Sequence, residues 1–401
     1  MTRPPERYRF AGVHAISRFE PRHAGGDDTG LEILRVVVTG GAGFIGSALV
    51  RKLLQRDDTS VAVVDKLTYA ACPEALAQFD GDARYRLLEV DVCDTGTVRQ
   101  LLSDFAPSGI MHLAAETHVD RSIDRPADFV QTNVLGTCAM LEAALDYWRS
   151  LPAAGQAAFR FHHVSTDEVF GSLVPPQRAD VDHPYRPNSP YAASKAAADH
   201  FVRAWQRTYG LPVVTSYCSN NYGPYQFPEK FIPLSVVSAL QGKPIRIYGS
   251  GQQSREWIHV DDHAEGLCRV FEVGASGHAY NLSSRREISN LELIHPVCDI
   301  LEELRPSRKT AYRDLITHVA DRPGHDQRYA LETGAASAAL DWHPDVALED
   351  GLRRTVRWYL DNADWWQSVL ATRYGGERLG GGAGVAVHGR QPAQAQVPER
   401  P

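Results

Sequence analysis

Apolar and polar positions along the first half of the chain follow two alternating periodicities. Short apolar runs predict β-strands at residues 33–38, 61–64, 85–90, 109–113 and 159–164. Between most of these runs, apolar residues recur at helical spacing and predict helices at residues 46–54, 98–105 and 133–148. Strands that alternate with helices indicate an α/β fold built on a doubly wound parallel sheet.

The pattern changes beyond residue 215, where it becomes irregular and richer in proline and glycine. We therefore predict a nucleotide-binding domain at residues 32–215 and a smaller C-terminal α/β lobe at residues 216–374 that completes a substrate cleft. Residues 1–31 lack periodicity, and residues 375–401 contain glycine runs followed by a stretch rich in Pro, Gln and Ala. We predict that residues 1–31 form a disordered extension and that residues 375–401 form a disordered tail.

A glycine-rich turn joins the first predicted strand to the first helix. Gly40, Gly43 and Gly46 permit a tight turn and let backbone N–H groups approach a pyrophosphate at the helix N-terminus. Asp65 ends the second strand about 20 residues further on, where a carboxylate binds ribose hydroxyls. Because an acid there disfavours a 2′-phosphate, the arrangement predicts a Rossmann-type domain that binds NAD rather than NADP. Asp91 follows the third strand and is either an adenine contact or part of the start of the next helix.

Composition restricts the remaining function classes. The 401 residues are 43% apolar and carry a formal net charge of −7 without any basic run, which disfavours a nucleic-acid partner. No apolar run is long enough to cross a membrane, and the N-terminus lacks the apolar core of a secretory signal peptide. The six cysteines are scattered without metal-ligand spacing, so we expect reduced thiols, no bound metal and a cytoplasmic location. His162 and His163 would face opposite sides of a strand, which argues against a shared metal.

Tyr191 and Lys195 form a Tyr-x-x-x-Lys motif whose spacing places both side chains on one face of a helix. A nearby ammonium group favours the phenolate, so Lys195 is expected to lower the pKa of Tyr191 and make it a base for an alcohol proton. The same spacing also occurs as an ordinary exposed pair. Its position after a nucleotide-binding half favours hydride chemistry on an alcohol.

Thr166, Asp167 and Glu168 follow the strand predicted at residues 159–164, at the carboxyl edge where α/β proteins bind ligands. Two carboxyl groups in one site can be held at different pKa values and act as acid and base. Consecutive strand residues face opposite ways, so the chain must turn here if all three side chains are to reach one ligand. The plain alternative is that one carboxylate caps the turn that follows.

Several longer motifs carry a family resemblance. They are Asp65-Lys-Leu-Thr-Tyr69, Met111-His-Leu-Ala-Ala-Glu-Thr-His-Val-Asp-Arg-Ser-Ile123, Ser165-Thr-Asp-Glu168, Cys218-Ser-Asn-Asn-Tyr-Gly-Pro-Tyr-Gln-Phe-Pro-Glu-Lys230, Arg255-Glu-Trp257 and Asp321-Arg-Pro-Gly-His-Asp326. From about residue 33 to Trp366 the sequence resembles the dTDP-glucose 4,6-dehydratases, a branch of the extended short-chain dehydrogenase/reductases.

The resemblance implies a hydro-lyase reaction that converts dTDP-glucose to dTDP-4-keto-6-deoxyglucose and water. Tyr191 would remove the proton of the C4 hydroxyl, held by Thr166, while NAD takes the C4 hydride. Glu168 would then remove the acidified C5 proton and Asp167 would protonate the departing C6 hydroxyl, before the hydride returns to C6. The residues themselves agree with this order, because a carboxylate is too weak a base for an unactivated C–H bond.

The same resemblance assigns residues to each ligand. Besides the glycine turn and Asp65, it assigns to NAD the residues Phe44, Ile45, Lys66, Leu67, Thr68, Asp91, Val92, Leu113, Ala114, Ala115, Glu116, Thr117, Thr132, Tyr191, Lys195 and Asn221. It assigns to the substrate Thr117, Thr166, Asn220, Lys230, Phe231, Arg246, Ile247, Tyr248, Arg255, Asn290, Asp321, Arg322, Pro323, Gly324 and His325. Lys230 and Arg255 have the charge to hold a diphosphate.

Some positions depart from the family pattern. Thr117, Phe231 and Arg246 stand where serine, leucine and proline are usual, so the base and the sugar stay open between dTDP-glucose and a UDP-sugar. Two rival reactions are 4-epimerisation of a nucleotide sugar, which needs neither a C5 base nor a C6 acid, and decarboxylation, whose substrate carboxylate Asp167 and Glu168 would repel. A catalytically silent NAD-sensing protein on the same fold is a third rival interpretation.

Helical patterns at residues 133–148 and 192–209 are amphipathic. They either pair with their copies in a homodimer, as the resemblance implies, or are covered within one subunit.

Overall fold

The computed structural model describes residues 33–307 and 309–376. Disorder is predicted at residues 1–31 and 375–401. All of these residues except 375 and 376 lie outside the described residues.

The elements follow the predicted alternation. The strands are β1 Leu34–Thr39, β2 Thr59–Asp65, β3 Tyr85–Glu89, β4 Gly109–His112, β5 Arg160–Thr166, β6 Val213–Cys218, β7 Asn220–Tyr222, β8 Ile245–Tyr248, β9 Ser254–His259, β10 Ala279–Leu282, β11 Glu287–Ser289 and β12 Ile316–Val319. The α-helices are α1 Phe44–Leu53, α2 Thr95–Phe105, α3 Val119–Asp124, α4 Pro126–Phe129, α5 Gly136–Ser150, α6 Ala153–Ala158, α7 Pro190–Tyr209, α8 Phe231–Leu240, α9 Val260–Val273, α10 Asn290–Leu304, α11 Gly334–Leu340, α12 Leu348–Asp361 and α13 Ala363–Thr372. A π-helical turn, Val130–Leu135, precedes α5.

Seven parallel strands form the central sheet in the order β10-β6-β5-β4-β1-β2-β3. The chain builds outward from β1 to β3 and then crosses to β4 on the other side of β1. This reversal leaves a crevice at the carboxyl ends of β1 and β4, which is where open α/β sheets bind ligands. The prediction of a doubly wound, Rossmann-type sheet is confirmed.

The apolar run of β1 explains why helices cover both faces of the sheet. Val36 and Val38 point into one core, shared with Leu49 of α1, while Val37 points into a second core shared with Met140 of α5. The three valines are fully buried. A parallel strand buried on both faces reads as a continuous apolar run rather than an alternating one.

The C-terminal part of the chain forms a smaller α/β lobe. It contains a sheet of order β11-β9-β7 and the pair β12-β8, and its apolar core includes Ile232 of α8, Ile294 of α10 and Leu352 of α12. This part of the chain also contributes one strand to the central sheet: β10 lies beyond residue 215 and pairs with β6. The division at residues 215 and 216 falls within β6, and it stays a prediction.

Candidate active site

A cleft opens at the carboxyl edge of the central sheet, in the crevice beside β1 and β4, and we call it the central cleft. Its lining includes every residue predicted to bind NAD except Leu67 and Asp91, and it also includes Thr166, Asp167, Glu168, Asn220 and Lys230. The structure therefore brings the predicted nucleotide loop, the acidic pair and the Tyr/Lys pair to one site.

The glycine turn leaves no room for side chains. A Cβ atom on Gly40, whose φ is +69°, would lie 2.7 Å from the backbone nitrogen of Ala114. A Cβ on Gly46 would lie 2.1 Å from the carbonyl oxygen of Gly40. This close packing lets the backbone at the start of α1 face the cleft directly. The turn fits the pyrophosphate of a dinucleotide.

Asp65 is held at the end of β2 by two backbone donors. Its Oδ2 accepts a hydrogen bond of 3.1 Å from the N–H of Ala42, and its Oδ1 accepts one of 2.8 Å from the N–H of Leu67. Burial raises the pKa of this carboxyl group, and the two backbone donors oppose that change. Asp65 therefore joins the glycine turn to the cleft wall where an adenosine ribose would lie.

Leu67 and Asp91 are the two predicted cofactor residues that do not line the central cleft. Leu67 is buried with a positive φ of 52°. Asp91 is exposed, and its Oδ1 accepts a hydrogen bond of 2.9 Å from the N–H of Cys93. For Asp91 the structure thus matches the alternative of a turn that leads into α2, whose N-cap is Asp94.

The chain turns at the acidic pair, as the proposed chemistry requires. A 3₁₀ helix begins at Asp167, and the Thr166 side chain caps it by accepting a hydrogen bond of 3.3 Å from the N–H of Glu168. The cap is therefore the threonine rather than either carboxylate, which leaves both carboxyl groups directed to the cleft. Within the described residues, the buried Oδ2 of Asp167 has no hydrogen-bond partner. This oxygen atom can therefore form a hydrogen bond with a ligand in the cleft.

The environments of the two carboxyl groups differ. Burial raises the pKa of Asp167 well above its ordinary value, and the charge of Glu168 raises it further. Burial also raises the pKa of Glu168, but the cations of Arg322, Arg255 and Lys230 oppose that change. Asp167 is therefore the group that retains a proton, whereas Glu168 is the one that three cations hold toward ionisation.

Tyr191 and Lys195 lie on α7, which begins where the Ser189 side chain accepts a hydrogen bond of 3.1 Å from the N–H of Ala192. Both side chains are buried, and Lys195 Nζ donates a hydrogen bond of 2.8 Å to the carbonyl oxygen of Val164. Burial raises the pKa of Tyr191 well above its ordinary value, followed by the charge of Glu168. The net pKa of Tyr191 is therefore raised in this structure, because burial outweighs any lowering by the charge of Lys195.

Two basic side chains lie on the lobe side of the site, where Lys230 lines the cleft and Arg255 lies outside its lining. Lys230 Nζ donates to the carbonyl oxygen of Thr117 over 2.7 Å. Arg255 is buried, donates to the carbonyl oxygen of Asp326 over 2.7 Å, and stacks 4.2 Å above the Tyr329 ring. Sequence reasoning missed Tyr329, which lies in the chain beyond the Asp321–Asp326 motif.

Apart from Thr117, Thr166, Asn220 and Lys230, the residues predicted to bind substrate do not line the central cleft, and this includes Arg255 and Arg322. The Tyr248 hydroxyl donates to Asp120 over 2.9 Å, and His325 Nδ1 lies 2.6 Å from Asp321 Oδ1. Arg322 also donates to Asp120. Sequence reasoning missed this role of Asp120, although the residue lies inside the Met111–Ile123 motif.

The remaining residues predicted to bind substrate lie elsewhere in the lobe. Ile247 is buried in its apolar core, Phe231 is packed against that core, and Arg246 is exposed. Asn290 begins α10, and Pro323 and Gly324 belong to the Asp321–Asp326 loop.

Two further features of the structure bear on other function classes. Within residues 33–307 and 309–376, no group of three or more His, Cys, Asp or Glu side chains is placed to hold a metal ion. The helices of that same part of the chain include none with both the length and the apolar character needed to span a membrane.

Residues 37–355 match the family model described as GDP-mannose 4,6 dehydratase. A dTDP-glucose 4,6-dehydratase of Neisseria meningitidis serogroup B is 50% identical over 352 residues, which cover 87% of this chain and 99% of that protein. The dTDP-glucose 4,6-dehydratase 1 of Escherichia coli K12 is 47% identical over 350 residues, 85% of this chain and 97% of that protein.

Solved structures give the same result. The dTDP-glucose 4,6-dehydratase DesIV of Streptomyces venezuelae, crystallised with NAD, has a TM-score of 0.77 at 43% identity and covers 84% of this chain and 100% of its own. A UDP-glucose 4-epimerase of Thermotoga maritima has a TM-score of 0.72 at 27% identity, covering 82% and 100%. Together with the central cleft, these similarities show that the chain belongs to the dTDP-glucose 4,6-dehydratase family.

Proposed function

We propose that this chain is a hydro-lyase that converts dTDP-glucose to dTDP-4-keto-6-deoxyglucose and water, with NAD as its cofactor. The observation that carries the proposal is that Asp167 and Glu168 line the same cleft as Tyr191 and Lys195. A redox pair alone would serve several reactions on nucleotide sugars. An acid and a base beside it serve the elimination of water.

The residues that would hold NAD are those of the glycine turn, Asp65 with its two backbone donors, and Lys195. When bound, NAD would supply an acceptor for the C4 hydride and a donor for its return to C6, with no net consumption of the cofactor. Asp65 favours NAD over NADP, because a carboxylate at the ribose repels a 2′-phosphate.

The first proton transfer belongs to Tyr191. Tyr191 and Thr166 both line the cleft, and their side chains are within hydrogen-bonding reach of each other, so the C4 hydroxyl can contact both oxygen atoms. Burial and Glu168 keep the Tyr191 pKa high in this structure. The positive charges of Lys195 and of an oxidised nicotinamide would both favour the phenolate, which makes Tyr191 a base for the C4 hydroxyl proton.

The elimination step belongs to the acidic pair. Oxidation at C4 makes the C5 proton acidic, and Glu168, held toward ionisation by three cations, would accept that proton. The C6 hydroxyl leaves with the proton that Asp167 retains because of its raised pKa. The C5–H and C6–O bonds break, a C5–C6 double bond forms, and one molecule of water departs. When the hydride returns to C6, Glu168 would give its proton back to C5, which restores a saturated C5–C6 bond.

The diphosphate would lie against the basic lobe side of the cleft. Lys230, Arg255 and Arg322 all act on the Glu168 carboxyl, so their charges converge beside the reacting carbons. An arginine fork and a lysine point charge are the usual protein partners of a phosphate.

The nearest competing reaction is 4-epimerisation, which the Thermotoga maritima relative performs by its name. An epimerase needs neither a C5 base nor a C6 acid, so two carboxyl groups in the cleft favour dehydration. Glu168, which three cations hold toward ionisation, also disfavours a decarboxylase, because its negative charge would repel a C6 carboxylate.

We further propose that the protein is a cytoplasmic homodimer. Val130 and Leu135 of the π-helical turn and Phe201 of α7 are 50%, 51% and 39% exposed. The π-helical turn packs on α7, and exposed apolar side chains on two packed elements suit a second copy of the same chain, because a two-fold interface buries the same surface twice. The six free cysteines suit a reducing compartment.

The experiment is an assay of the purified protein with dTDP-glucose, with UDP-glucose as the matched comparison. We expect a product lighter by one water, detected by mass spectrometry, with the alkaline ultraviolet absorbance of a 4-keto-6-deoxy sugar. A 4-epimer of unchanged mass would contradict dehydration. Equal or faster conversion of UDP-glucose would contradict the assignment of the thymine nucleotide.

A further inference from the structure

Asp199 is a buried acid that the reaction proposed above does not use. It lies on α7 one turn after Lys195 and two turns after Tyr191, so the three side chains share one helix face. Lys195 and Asp199 are each only 5% exposed. A buried charge is costly unless hydrogen bonds or an opposite charge compensate it.

Three neutral donors surround the carboxylate of Asp199. His163 Nε2 lies 2.9 Å from Oδ1, and the hydroxyls of Ser165 and Tyr185 donate to Oδ2 over 2.8 Å and 3.1 Å. A carboxylate only accepts, so His163 carries its proton on Nε2. Tyr217 lies 2.5 Å from the Tyr185 hydroxyl and donates to it, because the Tyr185 proton points to Asp199. All three donors therefore point at oxygen atoms that accept, as those of a carboxylate do.

None of these three donors carries a positive charge that could balance a carboxylate at Asp199. Burial lowers the pKa of His163, followed by the charge of Lys195, so the imidazole is neutral and its contact with Asp199 is a hydrogen bond between an ion and a neutral group. Lys195 likewise lacks a charged hydrogen-bond partner, because its ammonium group donates to the neutral carbonyl oxygen of Val164. One buried cation and one buried anion therefore lie one helical turn apart.

We propose that Asp199 is a positioning residue for the redox step. Its carboxylate supplies the charge that keeps the buried Lys195 protonated, and its hydrogen bond to Ser165 joins α7 to the end of β5 beside Thr166. This inference rests on the proposed role of Lys195 in holding NAD.

The groups around Lys195 support Asp199 as its counter-charge. Burial lowers the Lys195 pKa, and Asp199 is the largest influence that opposes this, followed by Cys218. His112 on β4 and His163 on β5 also face Lys195, but burial lowers the pKa of both, so neither carries a charge near neutral pH. Burial raises the pKa of the Cys218 thiol to about 12, which keeps it neutral as well.

The first test compares Asp199→Asn with Tyr185→Phe in NAD-depleted protein. The first change removes the charge and keeps the shape, whereas the second removes one hydrogen bond to the same carboxylate and keeps the charge. NAD affinity is measured by calorimetry over a pH series. We expect the alkaline loss of affinity to move to lower pH by about one unit in Asp199→Asn, since one opposite charge commonly shifts a pKa by that amount or more. Tyr185→Phe should keep the parent profile. An unmoved profile in Asp199→Asn, or an equal shift in both variants, would overturn the proposal.

The second test uses Lys195→Met and the double variant Lys195→Met/Asp199→Asn, followed by urea denaturation. If Asp199 balances Lys195, removing the acid should lower the denaturation midpoint strongly in the parent but not in the Lys195→Met background, where Asp199 is itself the uncompensated charge. Failure of Asp199→Asn alone to fold, beside a folded double variant, gives the same support. An equal loss in both backgrounds would overturn the charge pairing. Neither test uses a sugar nucleotide, so its outcome is independent of whether dTDP-glucose is the substrate.

Discussion

Oδ1 of Asp120 accepts a hydrogen bond of 2.9 Å from Nη1 of Arg322, a residue 202 positions further along the chain. The same carboxylate accepts a hydrogen bond of 2.9 Å from the Tyr248 hydroxyl. Asp120 belongs to α3, which begins directly after the cleft-lining residues 113–117, whereas its two partners belong to the C-terminal lobe. One buried acid therefore ties the two sides of the site together and orients a cation that acts on Glu168.

Asp120→Asn should weaken substrate binding more than catalysis. The change removes a charged partner of Arg322, and a hydrogen bond to a charged group is worth about 1.5–3 kcal/mol. We expect KM for dTDP-glucose to rise by roughly tenfold or more, with a smaller change in kcat, in steady-state kinetics. Asp146→Asn is the control, because its ion pair with Arg99 is exposed. A fall in kcat at unchanged KM would contradict the role assigned to Asp120.

Glu168→Gln should separate oxidation from elimination. Tyr191 and Thr166 stay in place, so the nicotinamide should still be reduced transiently by the substrate. Release of water should stop, because glutamine cannot accept the C5 proton. Rapid-mixing absorbance of reduced nicotinamide, together with mass spectrometry of the sugar nucleotide, measures both steps. If the variant folds but fails to reduce NAD at all, the division of roles in the acidic site is wrong.

Asp167→Asn should stabilise the protein at neutral pH. The folded-state pKa of Asp167 lies well above its ordinary value because of burial, so the stability that its protonated form contributes is full in acid and is lost as the pH rises through the folded-state pKa. Asparagine does not ionise. Urea midpoints of variant and parent should therefore converge at acidic pH and diverge, in favour of the variant, toward neutral pH. A constant difference across the pH series would show that Asp167 is ionised in the folded protein or that its charge costs nothing.

Gly46→Ala should damage both stability and NAD binding. Its Cβ would lie 2.1 Å from the Gly40 carbonyl oxygen, and overpacking of this kind costs about 1–3 kcal/mol. Gly96→Ala in α2 is the matched control, since its nearest neighbour would be 3.6 Å away and alanine favours a helix by about 1 kcal/mol. Thermal denaturation and NAD titration should give opposite stability changes for the two variants and lower affinity for the first alone.

Leu135→Arg combined with Phe201→Arg should yield a monomer. Both side chains belong to the exposed apolar patch of the π-helical turn and α7, and two charges on each copy would face each other across a two-fold interface. Val174→Arg is the control, because Val174 is 74% exposed and lies on a different segment. Sedimentation should report a dimer for the parent and the control. A parent protein that sediments as a monomer would contradict the proposed homodimer.

The catalytic groups could be predicted because each belongs to a short contiguous motif. The glycine turn, the acidic pair and the Tyr/Lys pair each follow a strand or lie on one helix, and all three line the central cleft. Leu67 and Asp91 belong to equally short motifs, yet neither lines it. A motif places a residue near a site, but the direction of its side chain depends on local backbone angles, such as the positive φ of Leu67.

By itself the sequence determined the α/β alternation, the parallel sheet and the residue types of the reaction, because periodicity and turn chemistry depend on neighbours in the chain. Only the tertiary structure decided that β10 returns to the sheet, that Asp120 meets Arg322, and that burial raises rather than lowers the pKa of Tyr191. Contacts between distant segments depend on the path of the whole chain. Proton affinities depend on how much water and which charges that path leaves around each group.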